Sequence, residues 1–382
     1  MMIDCLLSTF SLTICGDNEN IRSSGRAPSK AHQTATQEGK NMTTQESSFL
    51  NRAVRRRTVV AGALGVLAAP FVSRLAFAAG KVIRASTPGP DTEWQSKALQ
   101  AFKAELDKSM PGAFDVQLHY NGTLFAQGSE IEAMQRGNLE VALTSPSDIA
   151  ELIPEYSIFT TGYLFRDAKH LDAVYDGDVG KEFKSKVASD LKLQIVKSQY
   201  LGTRHVILRS PRTVNVPADL KGVKLRMPGS QAWQFLGNAL GASATPLAFE
   251  EVYLAMQTGT IDGLENPLPD AIASKFYEVS KQVVLTGHQV ANVFFTMPTA
   301  FWDGLSDEEK KAVLAAENAA KKVNDDGVIA TENDGKAFLE AHGNTVTTPD
   351  VAAFQKHVLD AFVNSDFSKN WPKGMLDRIG AA

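Results

Sequence analysis

Residues 133–140 read AMQRGNLE and residues 255–262 read AMQTGTID. Each is the end of a helix, then a glycine, then a strand that opens apolar and acidic. The glycine suits the junction, because helices commonly end on a residue in the left-handed region that a Cβ disfavours. Two such junctions in one chain imply two lobes of similar α/β build. Around the first copy the element order can be read directly. Residues 81–87 (KVIRAST) are strand-like. Trp94, Ala98, Phe102 and Leu106 recur at four-residue spacing, which predicts an amphipathic helix with Asp91 or Thr92 as N-cap. Residues 114–120 (FDVQLHY) alternate as a strand. Ser129 and Glu132 predict a capping box for a short helix ending at Gly137, and residues 139–143 (LEVAL) supply the next strand. The order β-α-β-α-β implies a parallel-rich sheet with helices on its faces. Residues 305–343 form a helical tract opened by a Ser306–Glu309 capping box, long enough to span both lobes and brace them.

The N-terminal 78 residues stand apart. Arg55, Arg56 and Arg57 precede a run of apolar and small residues that Pro70 interrupts, and Ala76-Phe77-Ala78 follows. The run is too short for a comfortable span of about 20 residues. It reads as an export signal cleaved after Ala78. Arg56-Arg57-Thr58-Val59-Val60 fits a twin-arginine signal, with the Sec route as the alternative. Residues 1–41 carry no periodic pattern, and Met42 begins a more ordinary leader, so translation is expected to start there. Cleavage removes nine of the 39 Lys+Arg, five of the 43 Asp+Glu, and both cysteines, Cys5 and Cys15. The remaining 304 residues carry a net charge of −8. A chain of that size supplies its own core without disulfides. It has no thiol nucleophile, and no basic stripe suited to nucleic acid.

Catalytic motifs are missing from the exported part. It has no G-x-S-x-G, H-E-x-x-H, phosphate loop or G-x-G-x-x-G. No two of its histidines (119, 170, 205, 288, 342 and 357) lie within four residues of each other, so no helical metal pair exists. Glu93, Glu250, Glu251 and Glu265 are carboxylates that a lyase could pair, or solvated and capping residues. No cofactor and no metal is expected.

A binding constellation remains. Arg226 lies in a short apolar strand, Val223 to Met227, that Pro228-Gly229 ends. Ligands of open parallel sheets sit beyond the carboxyl ends of the strands, and a guanidinium there matches a carboxylate bidentately. Arg204 (YLGTRHVILRS) is a second candidate, or a residue salt-bridged to an acid. Asn266 (DGLENPL) precedes Pro267 and is either a ligand contact or a turn residue. Phe249 (TPLAFEEVY) sits at a helix entrance, where a ring can wall a pocket.

Residues 220–268, LKGVKLRMPGSQAWQFLGNALGASATPLAFEEVYLAMQTGTIDGLENPL, resemble the substrate-binding core of the periplasmic binding proteins of TRAP (tripartite ATP-independent periplasmic) transporters. NGTLFAQGSEIEAMQRGNLEVAL, YLFRDAKHLDAVYDGDVGKEF, YLGTRHV and FWDGLSDEEKKAV fall in the order of that family, so the resemblance covers nearly the whole exported chain. It implies a two-lobed periplasmic binding protein fold with a parallel-rich sheet in each lobe, hinge strands and a long bracing helix. Lobe I is expected over 79–201 and 292–331, lobe II over 202–291 and 332–382. The lobes would close over an organic acid, without catalysis, and deliver it to ion-gradient-driven TRAP membrane subunits from the periplasm.

The resemblance makes Arg226 the principal carboxylate-binding residue, Arg204 its partner, and Asn266 and Phe249 cleft residues. It adds Thr87, Glu93, Trp94, Gln127, Thr144 and Ser145 from the first lobe. Sialic-acid-type members carry an acidic residue near the position of Ser145, which counts against a sialate here. Trp94 suggests a flat apolar wall. An aldonic or uronic acid is therefore favoured over a C4-dicarboxylate or an aromatic acid. The competing readings are a binding protein for an ATP-driven importer, a ligand-delivering sensor and a secreted lyase.

Overall fold

In the computed structural model, residues 80–382 are described. The export signal, its cleavage site and both cysteines lie outside them. The nine strands are β1 (Lys81–Ser86), β2 (Phe114–His119), β3 (Val141–Thr144), β4 (Leu193–Leu208), β5 (Lys224–Met227), β6 (Ser243–Pro246), β7 (Gly263–Pro267), β8 (Gln282–Pro298) and β9 (Thr345–Thr347). Their order is β2-β1-β3-β8-β4-β7-β5-β6, with β9 added beside β8.

Two parallel trios, β2-β1-β3 and β7-β5-β6, flank a long antiparallel pair. Leu193–Ser198 of β4 pair with Pro298–Phe294 of β8, beside β3. Further along, Arg204–Leu208 of β4 pair with β7 on one side and with β8 as far as Gln282 on the other. The same two strands therefore serve both half-sheets, and each half-sheet with its helices is one lobe.

The crossing is irregular. The register shifts between Tyr200 and Gly202, and Gly202 adopts φ +124°. A Cβ there would come within 2.6 Å of Pro267 Cβ. Three side chains of the long helix Asp307–Ala341 take up backbone groups around this bulge. Asp325 accepts from the Tyr200 N–H (3.0 Å), Asn324 donates to Tyr200 O (2.7 Å), and Glu332 accepts from the Thr203 N–H (2.5 Å). Buried backbone groups need such partners when the ladder fails them.

That helix has the expected Ser306–Glu309 capping box, and it packs on both lobes. Val313, Ala316 and Ala320 join the core around Ile83, Phe102 and Phe295, while Leu339 joins the one around Val252 and Leu264. The glycines ending the two repeated junctions, Gly137 and Gly259, have φ +73° and +78°, as the junction reading requires.

Two local expectations differ. The helix Trp94–Ser109 takes Glu93 as N-cap, not Asp91 or Thr92. Ser129 holds the expected N-cap position of its helix but forms no capping box: its hydroxyl donates back to Ala126 O (2.7 Å), and Glu132 turns to Arg136. The last helix, Met375–Gly380, packs on the β1–β3 half. Met375 and Ile379 enter the core of Val179 and Phe183, and Arg378 pairs bidentately with Glu182 (2.9 and 2.8 Å).

Candidate functional site: a cavity between the lobes

A cavity of about 940 Å³, counting its open mouth, lies where the strand ends of the two lobes face each other. Thr87, Glu93, Gln127 and Ser145 line it from the first lobe, and Arg204, Arg226, Phe249 and Asn266 from the second. Eight of the ten expected residues thus meet at one place.

Arg226 is 1 % exposed. Its Nε donates to Leu247 O (2.8 Å), and its Nη2 to Gln127 Oε1 (2.6 Å) on the opposite lobe. The Phe249 ring lies 5.8 Å from its Cζ. Among the described residues no carboxylate comes within ion-pair distance of it. Burial pulls its pKa down to about 9, against the pull of Glu265, so it remains a cation at neutral pH. A buried charge without a counter-ion costs several kcal/mol. A carboxylate placed beside it would remove that cost.

Arg204 is different. Both its Nε and Nη2 pair with the Glu265 carboxylate, and Nη2 also donates to Asn266 Oδ1 (3.0 Å). Its Cζ sits 4.7 Å from the Trp233 ring centroid, a cation–π distance. Glu265 further accepts from His288 Nε2 (3.2 Å), since a carboxylate can only accept. Burial alone would raise the Glu265 pKa, but Arg204 and His288 outweigh it and hold the carboxyl below its usual range. Arg204 is thereby neutralised and fixed, which leaves Arg226 as the uncompensated positive charge of the pair.

The two remaining expected residues point elsewhere. Thr144 is the middle of three consecutive residues of which Leu143 and Ser145 face the cavity. Alternation along a strand sends Thr144 to the other face, where its hydroxyl meets that of Thr296 at 2.8 Å. Trp94 turns onto the long helix. It fills the notch left by Gly327, and its Nε1 donates to Thr331 Oγ1 (2.8 Å). The apolar wall expected of it is supplied instead by Trp233, Phe249 and Phe159.

Other lining residues were not singled out from the sequence, among them Gln95, Glu130, Asp148, Asp270 and Gln289. Asp148 bears on the choice of ligand. The capping box Ser145–Asp148 holds it in the wall, so an acidic residue is present beside Ser145 after all. A sialate is therefore not disfavoured on that ground. Burial, then Asp148, pushes Glu130 up to about 8. Polar atoms of Gln95, Asn266, Asp270 and Gln289 are buried without a hydrogen-bond partner. No group of three or more metal-ligating side chains occurs among the described residues.

A cleft between two α/β lobes, with a buried guanidinium short of an anion and several unpaired polar atoms, defines a solute-binding protein. Residues 85–367 match the model of the bacterial extracellular solute-binding protein family 7, and the chain belongs to that family. It is a periplasmic TRAP solute-binding protein, not an enzyme, and it delivers a captured small organic acid to the TRAP membrane subunits.

A solute-binding protein of Verminephrobacter eiseniae is 34% identical over 306 residues, covering 80% of this chain and 90% of that one. A TRAP periplasmic solute-binding protein of Roseobacter denitrificans, solved with bound 3-deoxy-D-manno-oct-2-ulosonic acid (KDO), is 44% identical at a TM-score of 0.77, covering 79% of this chain and 99% of that one. A second from the same organism, with bound L-galactonate, is 26% identical at a TM-score of 0.72, covering 79% and 98%.

Proposed function

We propose that this protein captures a hydroxylated monocarboxylate, a sugar acid of the aldonic, uronic or ulosonic class. The ligand carboxylate would sit on Arg226 as the lobes close. The observation that carries this reading is the charge state of the arginine pair: Glu265 already neutralises Arg204, and Arg226 has no counter-ion. One free positive charge suits one carboxylate. The unpaired atoms of Gln95, Asn266 and Gln289 then suit hydroxyls, which both donate and accept. The relatives solved with KDO and L-galactonate carry ligands of this chemistry. Thr87, Glu93, Gln127, Ser145 and Phe249 complete the contact set in this reading.

We place residues 80–201, the second half of β8, the first half of the long helix and the terminal helix in the first lobe. The rest forms the second. We also propose export through the Arg55–Val72 signal with cleavage after Ala78, by the twin-arginine route. The mass of the protein recovered from the periplasm tests the cleavage site.

A thermal-shift screen of residues 79–382 tests the ligand class, using KDO, galactonate, glucuronate, N-acetylneuraminate, succinate and an aromatic acid. A ligand at 100 times its Kd adds about 2.7 kcal/mol of stability. A shift confined to sugar acids supports the reading. A shift with succinate or the aromatic acid alone contradicts it.

A further inference from the structure

Glu93 and Asp270 are buried in the same cavity wall, at 5 % and 6 % exposure, and come from opposite lobes. Glu93 is the N-cap of the helix after β1, and Asp270 lies in the helix Leu268–Ala273 that follows β7. β7 pairs directly with β5, the strand of Arg226, so Asp270 sits one strand over from the arginine, and Glu93 faces the same cavity from the opposite lobe. Among the described residues neither acid forms an ion pair. Glu93 Oε1 accepts a hydrogen bond from Ser274 Oγ (2.9 Å) across the cleft, and its carboxyl lies over Gly89, where a Cβ would overlap it. Asp270 Oδ1 has no partner, and the two amide atoms of the neighbouring lining residue Gln95 have none either.

We propose that Glu93 and Asp270 are specificity-determining residues that admit the uncharged, hydroxyl-bearing end of the ligand and turn away a second carboxylate. This rests on the sugar-acid reading above and deepens it. A hydroxyl both donates and accepts, so it satisfies a carboxyl pair in any protonation state. A carboxylate only accepts. It would be a third acidic group beside two that already repel in a desolvated site, and it could enter only with an additional proton. Like charge placed against the wrong ligand is a common means of discrimination.

The surroundings agree. Burial and then Asp270 push Glu93 well above its usual range, with Ser274 opposing. Burial takes Asp270 to about 7; Arg204 opposes this, while Glu332 and Glu265 add to it. The cation that acts on Asp270 is Arg204, which Glu265 already holds.

The matched probes are galactonate and galactarate, which differ only in carrying CH2OH or a carboxylate at C6. Calorimetry on the wild type, Glu93→Gln and Asp270→Asn at pH 8 reads their Kd ratio. The wild type is expected to prefer galactonate by at least about tenfold, and each isosteric amide to reduce that preference about tenfold, the equivalent of one pKa unit. Lowering the wild-type pH from 8 to 6 reads the same effect without mutation: galactarate affinity should rise while galactonate affinity stays level. A wild type that binds both acids equally overturns the proposal, as does a ratio unmoved by both variants and by pH. If galactonate, glucuronate and KDO all fail to bind, the sugar-acid reading itself fails, and the proposal with it.

Discussion

The Arg226 Nη2 of the second lobe donates to Gln127 Oε1 of the first at 2.6 Å. The residue with the free charge therefore also ties the lobes together. A contact that spans the cleft is lost when the lobes separate. A ligand that needs Arg226 in this position shifts the open–closed equilibrium by its differential affinity for the closed form.

The crossing of β4 and β8 depends on Gly202. Its φ is +124°, and a Cβ added there would stand 2.6 Å from Pro267 Cβ, so Gly202→Ala must strain the backbone or displace Pro267. We expect a loss of about 1–3 kcal/mol. Urea unfolding of the unliganded protein measures it, and an unchanged midpoint would show that the bulge relaxes freely.

Glu265 is fully buried between Arg204 and His288. Glu265→Gln keeps the shape but strands the Arg204 charge, and removing one member of a buried pair costs about 3–5 kcal/mol. The denaturation midpoint should fall accordingly. Stability equal to wild type would mean that Arg204 is not held by this carboxylate.

Burial raises several carboxyls besides Glu93 and makes stability depend on pH. Burial is the leading cause in each: Asp270 is raised to about 7, and Glu130 and Glu317 to about 8. In the unfolded chain such groups titrate near 4, so between about pH 6.5 and 8 the folded state binds more protons and stability falls as pH rises. Below that window the slope is opposed, because burial lowers His205 to about 3 and also lowers His288, while unfolded histidines take up protons. Glu317→Gln retains an acceptor for Gln199 Nε2 and removes one of these groups. Thermal unfolding across this window should show a shallower slope in that variant. An identical slope would remove Glu317 from the account.

Much of the fold was legible because its determinants are local. The junction glycines, the four-residue spacing of Ala98, Phe102 and Leu106, and the Ser306–Glu309 box each act within one turn or one helix. Arg226 was legible for a similar reason: a strand end at Pro228-Gly229 points to the ligand side of the sheet. What was missed depends on direction. Trp94 could face the cleft or the long helix, and only the notch at Gly327 decides it. Thr144 was one residue out of phase, and a single step along a strand reverses the face. Trp233 and Asp270 lie in the first turns of helices that follow β5 and β7, at the positions where parallel strands deliver residues to a cleft. That topological signal was available in the sequence but does not single out residue types.

The buried Arg226 is proposed to bind the carboxylate of the ligand. Calorimetry of wild type and Arg226→Lys against the tightest-binding sugar acid tests this assignment most directly, with thermal unfolding to confirm that the variant is folded. Lysine keeps the charge but not the planar fork. Arg226→Lys is expected to lose about 2–5 kcal/mol in binding, as for a buried charge pair broken on one side. A folded Arg226→Lys protein that binds with wild-type affinity would contradict the assignment.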